Sequence, residues 1–203
     1  MTTGYSATYP LLSTGKFHAP SDSPIKPEID ASLVNETLKC RGGIDLQGIK
    51  IIGPLNLTNC FLNNPVLFID CDIEHLDATD ATFNNVLDLT GSRIRGDLVL
   101  LGVSAKNMIK LENTHISENL SLLNCRISSG LPARRMIVCG EADVRELTIG
   151  SSADFTDAIF EKNAIFSNAR IELTFDIKQT LFCSEANFDS VQAFAFKADK
   201  SHF

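Results

Sequence analysis

Histidines, cysteines and acidic residues are the side chains of this sequence best suited to chemistry, and their spacing limits what they could do. The histidines share no metal-ligand spacing with one another or with the cysteines; they are His18, His75, His115 and His202. The sequence contains no Gly-x-Ser-x-Gly motif, no glycine-rich phosphate loop and no dinucleotide-binding fingerprint. It therefore predicts a chain that is not an enzyme and has no catalytic residue, metal or cofactor.

One run of acids marks a candidate acidic surface, formed by Asp70, Asp72, Glu74, Asp77 and Asp80. Neighbouring carboxylates can share acid–base work, but the spacing of Asp70 and Asp72 is only a weak sign of it. A solvated surface and an imitation of DNA phosphates are both open interpretations of the run. The net charge of -7 argues against direct binding of nucleic acid, which needs a basic face.

Apolar residues return every eleven positions along most of the chain. One column contains Leu46, Leu57, Phe68, Thr79, Leu89, Leu100, Leu111, Leu122, Ala133, Val144, Phe155, Phe166, Ile177 and Phe188, with a one-residue slip at Thr79. A second column, about five residues later, contains Ile51, Leu62, Ile73, Phe83, Ile94, Ala105, Ile116, Ile127, Val138, Ile149, Phe160, Ile171, Phe182 and Ala193. Such a regular return indicates a repeat architecture.

Each column residue follows, two positions later, a second apolar or small residue, as Leu100 follows Leu98. Residues two apart in a strand point to the same face, so each pair predicts a short strand with an inward side. Glycine and asparagine recur just after the pairs, where a chain that turns a corner needs permissive backbone torsions. With four strands to a turn, the pattern predicts an all-β, quadrilateral parallel β-helix of about seven coils.

The stretch ADFTDAIFEKNAIFSNARI, residues 153–171, resembles the repeating units of pentapeptide-repeat proteins. The earlier stretches GIDLQGIKIIGPLNLTNCFL and VLDLTGSRIRGDLVL resemble a leucine-rich, pentapeptide-like variant with 11-residue double units. The resemblance covers residues 42–196 and implies a right-handed, four-sided β-helix. Hexapeptide-repeat acyltransferases are the nearest competing fold, but their uniform step of six does not fit columns that alternate five and six.

The ends of the chain differ in composition from this repeat. Residues 1–28 are rich in proline, serine and threonine and are expected to be flexible. Asp30 and the residues after it predict an N-terminal capping helix over 29–41, with Leu33, Val34 and Leu38 on one face. The β-helix follows over 42–196, and residues 197–203 form a C-terminal tail.

Two apolar groups could form contacts with other proteins. Ile137, Ile159 and Leu181 occupy the same outward position in successive turns, which marks either an interaction surface or ordinary exposed aliphatic side chains. In gyrase-binding members of the family, dimers form through the C-terminal end. That resemblance implies a homodimer contact at Phe194, Phe196 and Phe203, against which a frayed tail is the alternative.

The cysteines and the length of the apolar runs indicate the cellular location of the protein. No Cys-x-x-Cys pair is present, and Cys60, Cys71 and Cys125 fall on inward positions, so free thiols in a core are expected. No apolar run approaches the length of a transmembrane helix, and the N-terminus lacks the features of a signal peptide. These observations predict a cytoplasmic protein of bacterial type, or one delivered to another cell's cytosol.

The function that the sequence favours is a noncatalytic protein–protein interaction scaffold with an unknown partner. The alternative, implied by the resemblance, is a dimeric DNA mimic that binds a type II topoisomerase (DNA gyrase) and protects or inhibits it. That alternative needs a continuous acidic stripe, which Lys50 and Arg93 interrupt on one side of the coil. A third hypothesis, an enzyme on a β-helix, requires a cleft with clustered polar groups.

Overall fold

Parallel strands in the computed structural model stack in ladders along one axis, and each strand pairs with a strand one turn away. The structure describes residues 13–19 and 25–203. Leu98, for example, pairs with Leu120 in the next turn and with Leu76 in the turn before. The chain is therefore a β-solenoid, and its fold agrees with the predicted β-helix.

The elements are short and closely spaced. In chain order they are β1 (Lys16–His18), β2 (Glu28–Asp30), α1 (Ala31–Arg41), β3 (Ile44–Gln47), β4 (Lys50–Asn56), β5 (Phe61–Leu62), β6 (Val66–Ile69), β7 (Asp72–Asp77), β8 (Thr82–Phe83), β9 (Leu87–Asp88), β10 (Arg93–Ile94), β11 (Leu98–Val99), β12 (Ser104–Ala105), β13 (Ile109–Lys110), β14 (His115–Ile116), β15 (Leu120–Ser121), β16 (Arg126–Ile127), β17 (Leu131–Pro132), β18 (Ile137–Val138), β19 (Ala142–Asp143), β20 (Thr148–Ile149), β21 (Ala153–Asp154), β22 (Ile159–Phe160), β23 (Ala164–Ile165), β24 (Arg170–Asp176), β25 (Leu181–Phe182), β26 (Ala186–Asn187) and β27 (Gln192–Lys197).

The ladders define four sides of the coil. Side 1 contains β1, β3, β6, β9, β13, β17, β21 and the ends of β24 and β27. Side 2 contains β2, the starts of β4 and β7, and then β10, β14, β18, β22 and β25. Side 3 contains the ends of β4 and β7, then β11, β15, β19, β23 and β26; side 4 contains β5, β8, β12, β16, β20 and the starts of β24 and β27. Because strands are two to seven residues long, corners recur every few residues and fix which side chains face outward.

Left-handed backbone torsions recur at two of the four corners. Within residues 13–19 and 25–203, twelve residues other than glycine have positive φ there, and most are separated by eleven residues: Asn59, Asp70, Asp80, Asn113, Asn124, Arg135, Glu146, Asp157, Asn168, Gln179, Ser190 and Lys200. Gly48, Gly91 and Gly102 continue the same series. Asparagine, aspartate and glycine tolerate this region best, which is why they recur after the inward pairs.

The core fills the interior of the coil with the two predicted columns and with the residues two positions before them. Polar members of the interior are satisfied by carbonyls one turn below. The Thr114 hydroxyl donates to the Leu89 carbonyl at 3.0 Å, and the Ser92 hydroxyl donates to the Phe68 carbonyl at 2.7 Å. The Cys125 thiol makes the equivalent contact with the Leu100 carbonyl at 2.6 Å. Serine, threonine or cysteine can therefore replace alanine inside the coil without leaving a buried donor unpaired.

The position of the slip differs from the sequence prediction. Ala78, and not Thr79, is the fully buried member of the first column, and its N–H donates to the Val99 carbonyl. The shortened side therefore lies between Ile73 and Ala78, where β7 runs unbroken around the corner. The neighbouring β4 carries a register irregularity between Ile51 and Pro54, which absorbs the difference in length.

The coil has about eight turns, one more than the sequence predicts. The additional turn begins in the segment 1–28, where β1 pairs with β3 in parallel and β2 pairs with β4. Residues 1–12 and 20–24 of that segment lie outside the described residues. Strand formation by Lys16–His18 covers the interior of the next turn, which would otherwise expose Leu46 to water.

Helix α1 follows β2 and packs against β2, β3 and β4. The Asp30 carboxylate accepts a hydrogen bond from the Ser32 N–H at 2.8 Å, and Gly42 ends the helix with φ of 65°. Val34 and Leu38 are buried, and Leu33 packs at the margin of the core. The helix thus closes the N-terminal end of the coil, as a solenoid requires.

Residues 197–203, expected as a tail, continue the coil in the structure. Lys197 is the last residue of β27, and the Phe182 N–H donates to the His202 carbonyl at 2.9 Å. The Phe203 ring stacks on Phe182 with a centroid separation of 5.3 Å. Inward residues thus continue the repeat to the last position of the sequence.

Candidate interaction surfaces

The predicted stack of aliphatic residues is present on side 2. Ile137 pairs with Ile159, and Ile159 pairs with Leu181, so the three side chains stand in adjacent turns in direct register. Ile137 and Ile159 are half-buried, and Leu181 is 37% exposed. We call these three residues the aliphatic stack.

The strands on side 2 give the aliphatic stack its orientation. Met136 and Val138 on either side of Ile137 are fully buried, as are Ala158 and Phe160 beside Ile159. Alternation along a strand then directs the central side chain outward. The Ile159 N–H donates to the Met136 carbonyl at 2.9 Å and the Leu181 N–H donates to the Ala158 carbonyl at 2.9 Å, so the backbone beneath is fully paired.

Side 2 becomes polar toward the N-terminus. Lys50 forms an ion pair with Glu28 at 2.6 Å, and Arg95 binds Asp72 through two nitrogens at 2.7 and 2.6 Å. This bidentate hydrogen bond lowers the pKa of Asp72 below its usual value. Two charged pairs of this half therefore join adjacent turns.

His115 precedes Ile137 by one turn on side 2, and its Nε2 lies 3.8 Å from Sγ of Cys139, two residues after Ile137. Burial raises the pKa of the Cys139 thiol, and the neighbouring Glu161 raises it further. A raised pKa leaves little thiolate at neutral pH, so the pair is poorly suited to nucleophilic chemistry. Cys71 and Cys125 are buried in the core, where burial raises the pKa of each thiol to about 12.

The predicted acidic surface spans about half a turn of the coil, from Asp70 to Asp80. Asp72 lies on side 2, Glu74 at the corner between sides 2 and 3, and Asp77 on side 3, while Asp70 and Asp80 occupy the two corners with positive φ. The Asp77 carboxylate stabilises its own turn, because it accepts hydrogen bonds from the N–H and hydroxyl of Thr79. The five acids thus form an arc across the coil and not a stripe along its axis.

Acids on side 1 support the backbone and pair with bases. The Asp88 carboxylate accepts from the Thr90 N–H at 3.0 Å and lies 3.1 Å from the Lys110 ammonium. Asp154 pairs with Arg134 of the preceding turn, and Asp176 pairs with Lys178, two residues later. The side chains of Asp45, Asp88, Asp154 and Asp176 are at most 20% exposed. Most of the surface of these four side chains is therefore buried by the rest of the protein.

This arrangement predicts acid sensitivity at Asp154. Burial acts to raise the pKa of Asp154, but hydrogen bonds from Thr156 and Arg134 outweigh it and hold the pKa below its usual value. A depressed pKa in the folded state stabilises the protein above the unfolded value of about 4, and that contribution is lost as the pH falls through the folded pKa. Asp154→Asn is expected to lower the free energy of unfolding at pH 7 and to flatten its decline between pH 5 and pH 3, as measured by urea unfolding.

Asp157→Asn provides the matched control for that experiment, since Asp157 is exposed at a corner only three residues away. It should leave the decline with pH unchanged. An equal flattening by both variants would show that general charge, and not the Asp154 contacts, causes the acid sensitivity.

A row of acids that the sequence analysis missed runs beside the aliphatic stack, at the corner between sides 2 and 3. We call it the acidic edge, and it consists of Glu118, Glu141, Glu161 and Glu185, all exposed. Glu141 and Glu185 precede Ala142 and Ala186, which lie in one ladder on either side of Ala164. The spacing of Glu141 and Glu185, two turns of 22 residues, is the signal in the sequence that could have identified them.

The three C-terminal phenylalanines do not form one group. Phe196 and Phe203 occupy inward positions: Phe196 contacts the Phe175 ring at 5.3 Å, and Phe203 stacks on Phe182. Their outer edges remain 50% and 75% exposed. Phe194 points outward from side 4 and is 88% exposed. A homodimer contact through these residues stays a prediction, which the exposed aromatic surface at this end supports.

A concavity near the N-terminus has polar groups that are engaged in contacts within the protein. It has a volume of about 340 Å³, lies over side 1 and is lined in part by Lys16, Arg41, Asp45 and Asn64. Arg41 donates to the Ser13 carbonyl, Asn64 donates to the Arg41 carbonyl, and Lys16 lies 3.8 Å from Asp45. Across residues 13–19 and 25–203, no three histidine, cysteine or acidic side chains come close enough together to hold a metal ion.

Comparison with known proteins gives no relative: no family model, no curated protein and no solved structure matches the chain. Among the residues that the structure describes, no helix has the length and apolar character needed to cross a membrane.

Proposed function

We propose that this chain is a noncatalytic scaffold of the pentapeptide-repeat type, which binds a partner protein through the aliphatic stack. The observation that supports this function is the register of Ile137, Ile159 and Leu181 on adjacent strands of one flat side. Isolated exposed aliphatic residues are common on protein surfaces, but three in direct contact across strands form a continuous apolar strip.

The rigidity of the coil makes such a strip suitable for binding. Backbone hydrogen bonds run from turn to turn beneath all three residues, so little conformational entropy remains to be lost when a partner docks. A repeat architecture also presents its side chains at regular intervals, which suits extended contact surfaces. The free state of all six cysteines supports a reducing, cytoplasmic site of action.

The state of the reactive side chains supports a noncatalytic role. Cys71 and Cys125 are core residues whose pKa values are strongly raised, and the pKa of the half-buried Cys139 is also raised. The side 1 acids serve as turn supports and ion-pair partners. These cysteines and acids are therefore engaged in contacts within the protein and do not line a substrate cleft.

Ile159→Lys tests the proposed contact. An ammonium in the centre of an apolar interface is expected to weaken partner binding by about 2 kcal/mol or more, a loss of roughly thirtyfold or greater. The measurement is quantitative affinity capture from a bacterial cytosolic extract with the wild-type chain and the variant, followed by mass spectrometry. Because the side chain already points outward, the midpoint of thermal unfolding should change little.

Ile165→Lys is the matched control, because Ile165 is a half-buried isoleucine at an outward strand position on side 3. The control should retain the partner that Ile159→Lys loses. A partner that both variants retain would contradict the aliphatic stack as the binding surface, and so would a partner lost only with Ile165→Lys.

A further inference from the structure

The aliphatic stack and the acidic edge lie side by side over the same turns of the coil. Glu161 is two residues from Ile159 along the chain, and both Glu161 and Glu118 act electrostatically on the Cys139 thiol, two residues from Ile137. The apolar strip is therefore bordered along one flank by carboxylates.

The acidic edge carries charge that the protein itself does not neutralise. Among the residues described, none of Glu118, Glu141, Glu161 and Glu185 takes part in an ion pair, in contrast to the acids of side 1. Lys162, the residue after Glu161, stands at the same corner between sides 2 and 3. The opposite flank of the aliphatic stack carries charges of both signs, since Arg135 and Lys200 are exposed there together with Asp157. A partner thus meets negative charge on one flank of the strip.

The spacing of the aliphatic stack indicates the secondary structure of the partner segment. Adjacent strands lie about 4.8 Å apart, so Ile137 and Leu181 are separated by roughly 10 Å along the axis. Positions i and i+7 of an α-helix are about 10.5 Å apart, with i+3 and i+4 between them on the same face. Side chains on one face of an extended peptide repeat every 6.6–6.8 Å or so, which does not match the stack.

We propose that the aliphatic stack and the acidic edge together bind an amphipathic α-helix of the partner protein, lying along the solenoid axis, with Lys or Arg residues bordering its apolar face. The proposal rests on the proposed function and specifies the chemistry of the partner. Apolar residues at i, i+3 or i+4, and i+7 contact the aliphatic stack. Basic residues on the flank pair with Glu118, Glu141, Glu161 and Glu185 and set the orientation of the helix.

Two stapled helical peptides test this proposal. Each has about 14 residues and spans roughly 20 Å. Both carry leucine at i, i+3, i+4 and i+7; one has lysines along the flank and the other has glutamates at the same positions. In titrations monitored by fluorescence anisotropy at about 50 mM NaCl, the lysine peptide is expected to bind at least tenfold more tightly than the glutamate peptide. The ratio should fall toward one at about 1 M NaCl, where the Debye length is only about 3 Å.

Charge reversal at the edge identifies the surface used. The double variant Glu141→Lys with Glu161→Lys should reverse the preference between the peptides. The control, Glu146→Lys with Glu172→Lys, makes the same change in net charge at exposed glutamates elsewhere on the coil and should keep the preference for lysine. Ile159→Lys should abolish binding of both peptides.

The outcomes separate this inference from the proposed function. Equal affinity for the two peptides, lost in Ile159→Lys, would overturn the role of the acidic edge and leave the aliphatic stack as a binding surface. Failure of both peptides to bind the wild-type chain at about 1 mM would overturn the helical partner, while affinity capture with Ile159→Lys still tests the stack. Retention of the lysine peptide by Ile159→Lys would overturn both.

Discussion

Phe166→Ala is expected to lower the free energy of unfolding by about 3–5 kcal/mol, the largest effect among the substitutions considered. The Phe166 side chain is buried, and its ring lies within 6.2 Å of five others, centroid to centroid: Phe155, Phe160, Phe175, Phe182 and Phe188. Truncation removes the apolar burial and the aromatic contacts at once, and it leaves a cavity that the surrounding strands cannot close. Urea unfolding followed by circular dichroism measures the change, since the chain has no tryptophan.

Phe61→Ala is the matched control, because Phe61 stands on a strand of the same β-helix but is 62% exposed. Its effect should stay within about 0.5 kcal/mol. A loss of less than about 1 kcal/mol for Phe166→Ala would show that the aromatic contacts of the last turns contribute little, and that the hydrogen-bonded ladders alone hold them together.

Gly150→Ala is expected to cost about 2–3 kcal/mol, because adjacent turns approach too closely there for a side chain. A Cβ at this position would collide with the backbone carbonyl of Ser128, one turn below, and would lie 3.0 Å from its carbonyl carbon. The Gly150 N–H also donates to the Ile127 carbonyl at 2.9 Å, so the backbone cannot move aside without weakening the ladder. Urea unfolding again gives the change in stability.

Gly130→Ala tests whether the collision is the cause. Gly130 lies at the equivalent corner, and a Cβ there would stand 3.2 Å from the Ser152 carbonyl oxygen, a contact that a small shift relieves. Its cost should remain below about 1 kcal/mol, the ordinary loss for exchange of glycine and alanine in a loop. Equal costs for the two variants would contradict the explanation by close approach.

Much of the fold could be predicted because its period is long and nearly unbroken. Leu98 and Leu100 point inward for the same reason that Leu120 and Leu122 do, so one turn predicts the next. The sequence could not distinguish Ala78 from Thr79 at the slip, since either choice restores the period after it. The hydrogen-bonded register with Val99 decides between them, and that register depends on the neighbouring turn.

The candidate surface was predictable where it depends on the same period. Ile137, Ile159 and Leu181 are 22 residues apart, so the number of residues in a turn places them in contact. The acidic run could not be interpreted in the same way, because neighbours in sequence lie around the coil and not along it. The positions of Glu118 and Glu161 on this surface could not be predicted from the sequence, because both stand at a corner. Side-chain direction there depends on the local turn and not on strand alternation.

The pairing of each strand with its counterpart one turn away also limits how the length of this protein can change. Deleting a segment of 22 residues between equivalent points, such as Leu98 and Leu120, would remove one turn and leave every remaining residue on its own side. Deletion of a few residues between 118 and 185 would instead shift all later side chains around the axis and break the alignment of the aliphatic stack and of the acidic edge. Single-residue changes can be accommodated at corners such as the one that β7 crosses, where the chain already makes a side one residue shorter. Related chains of different length are therefore expected to differ by whole turns, with the same surfaces displaced by about 4.8 Å for each turn gained or lost.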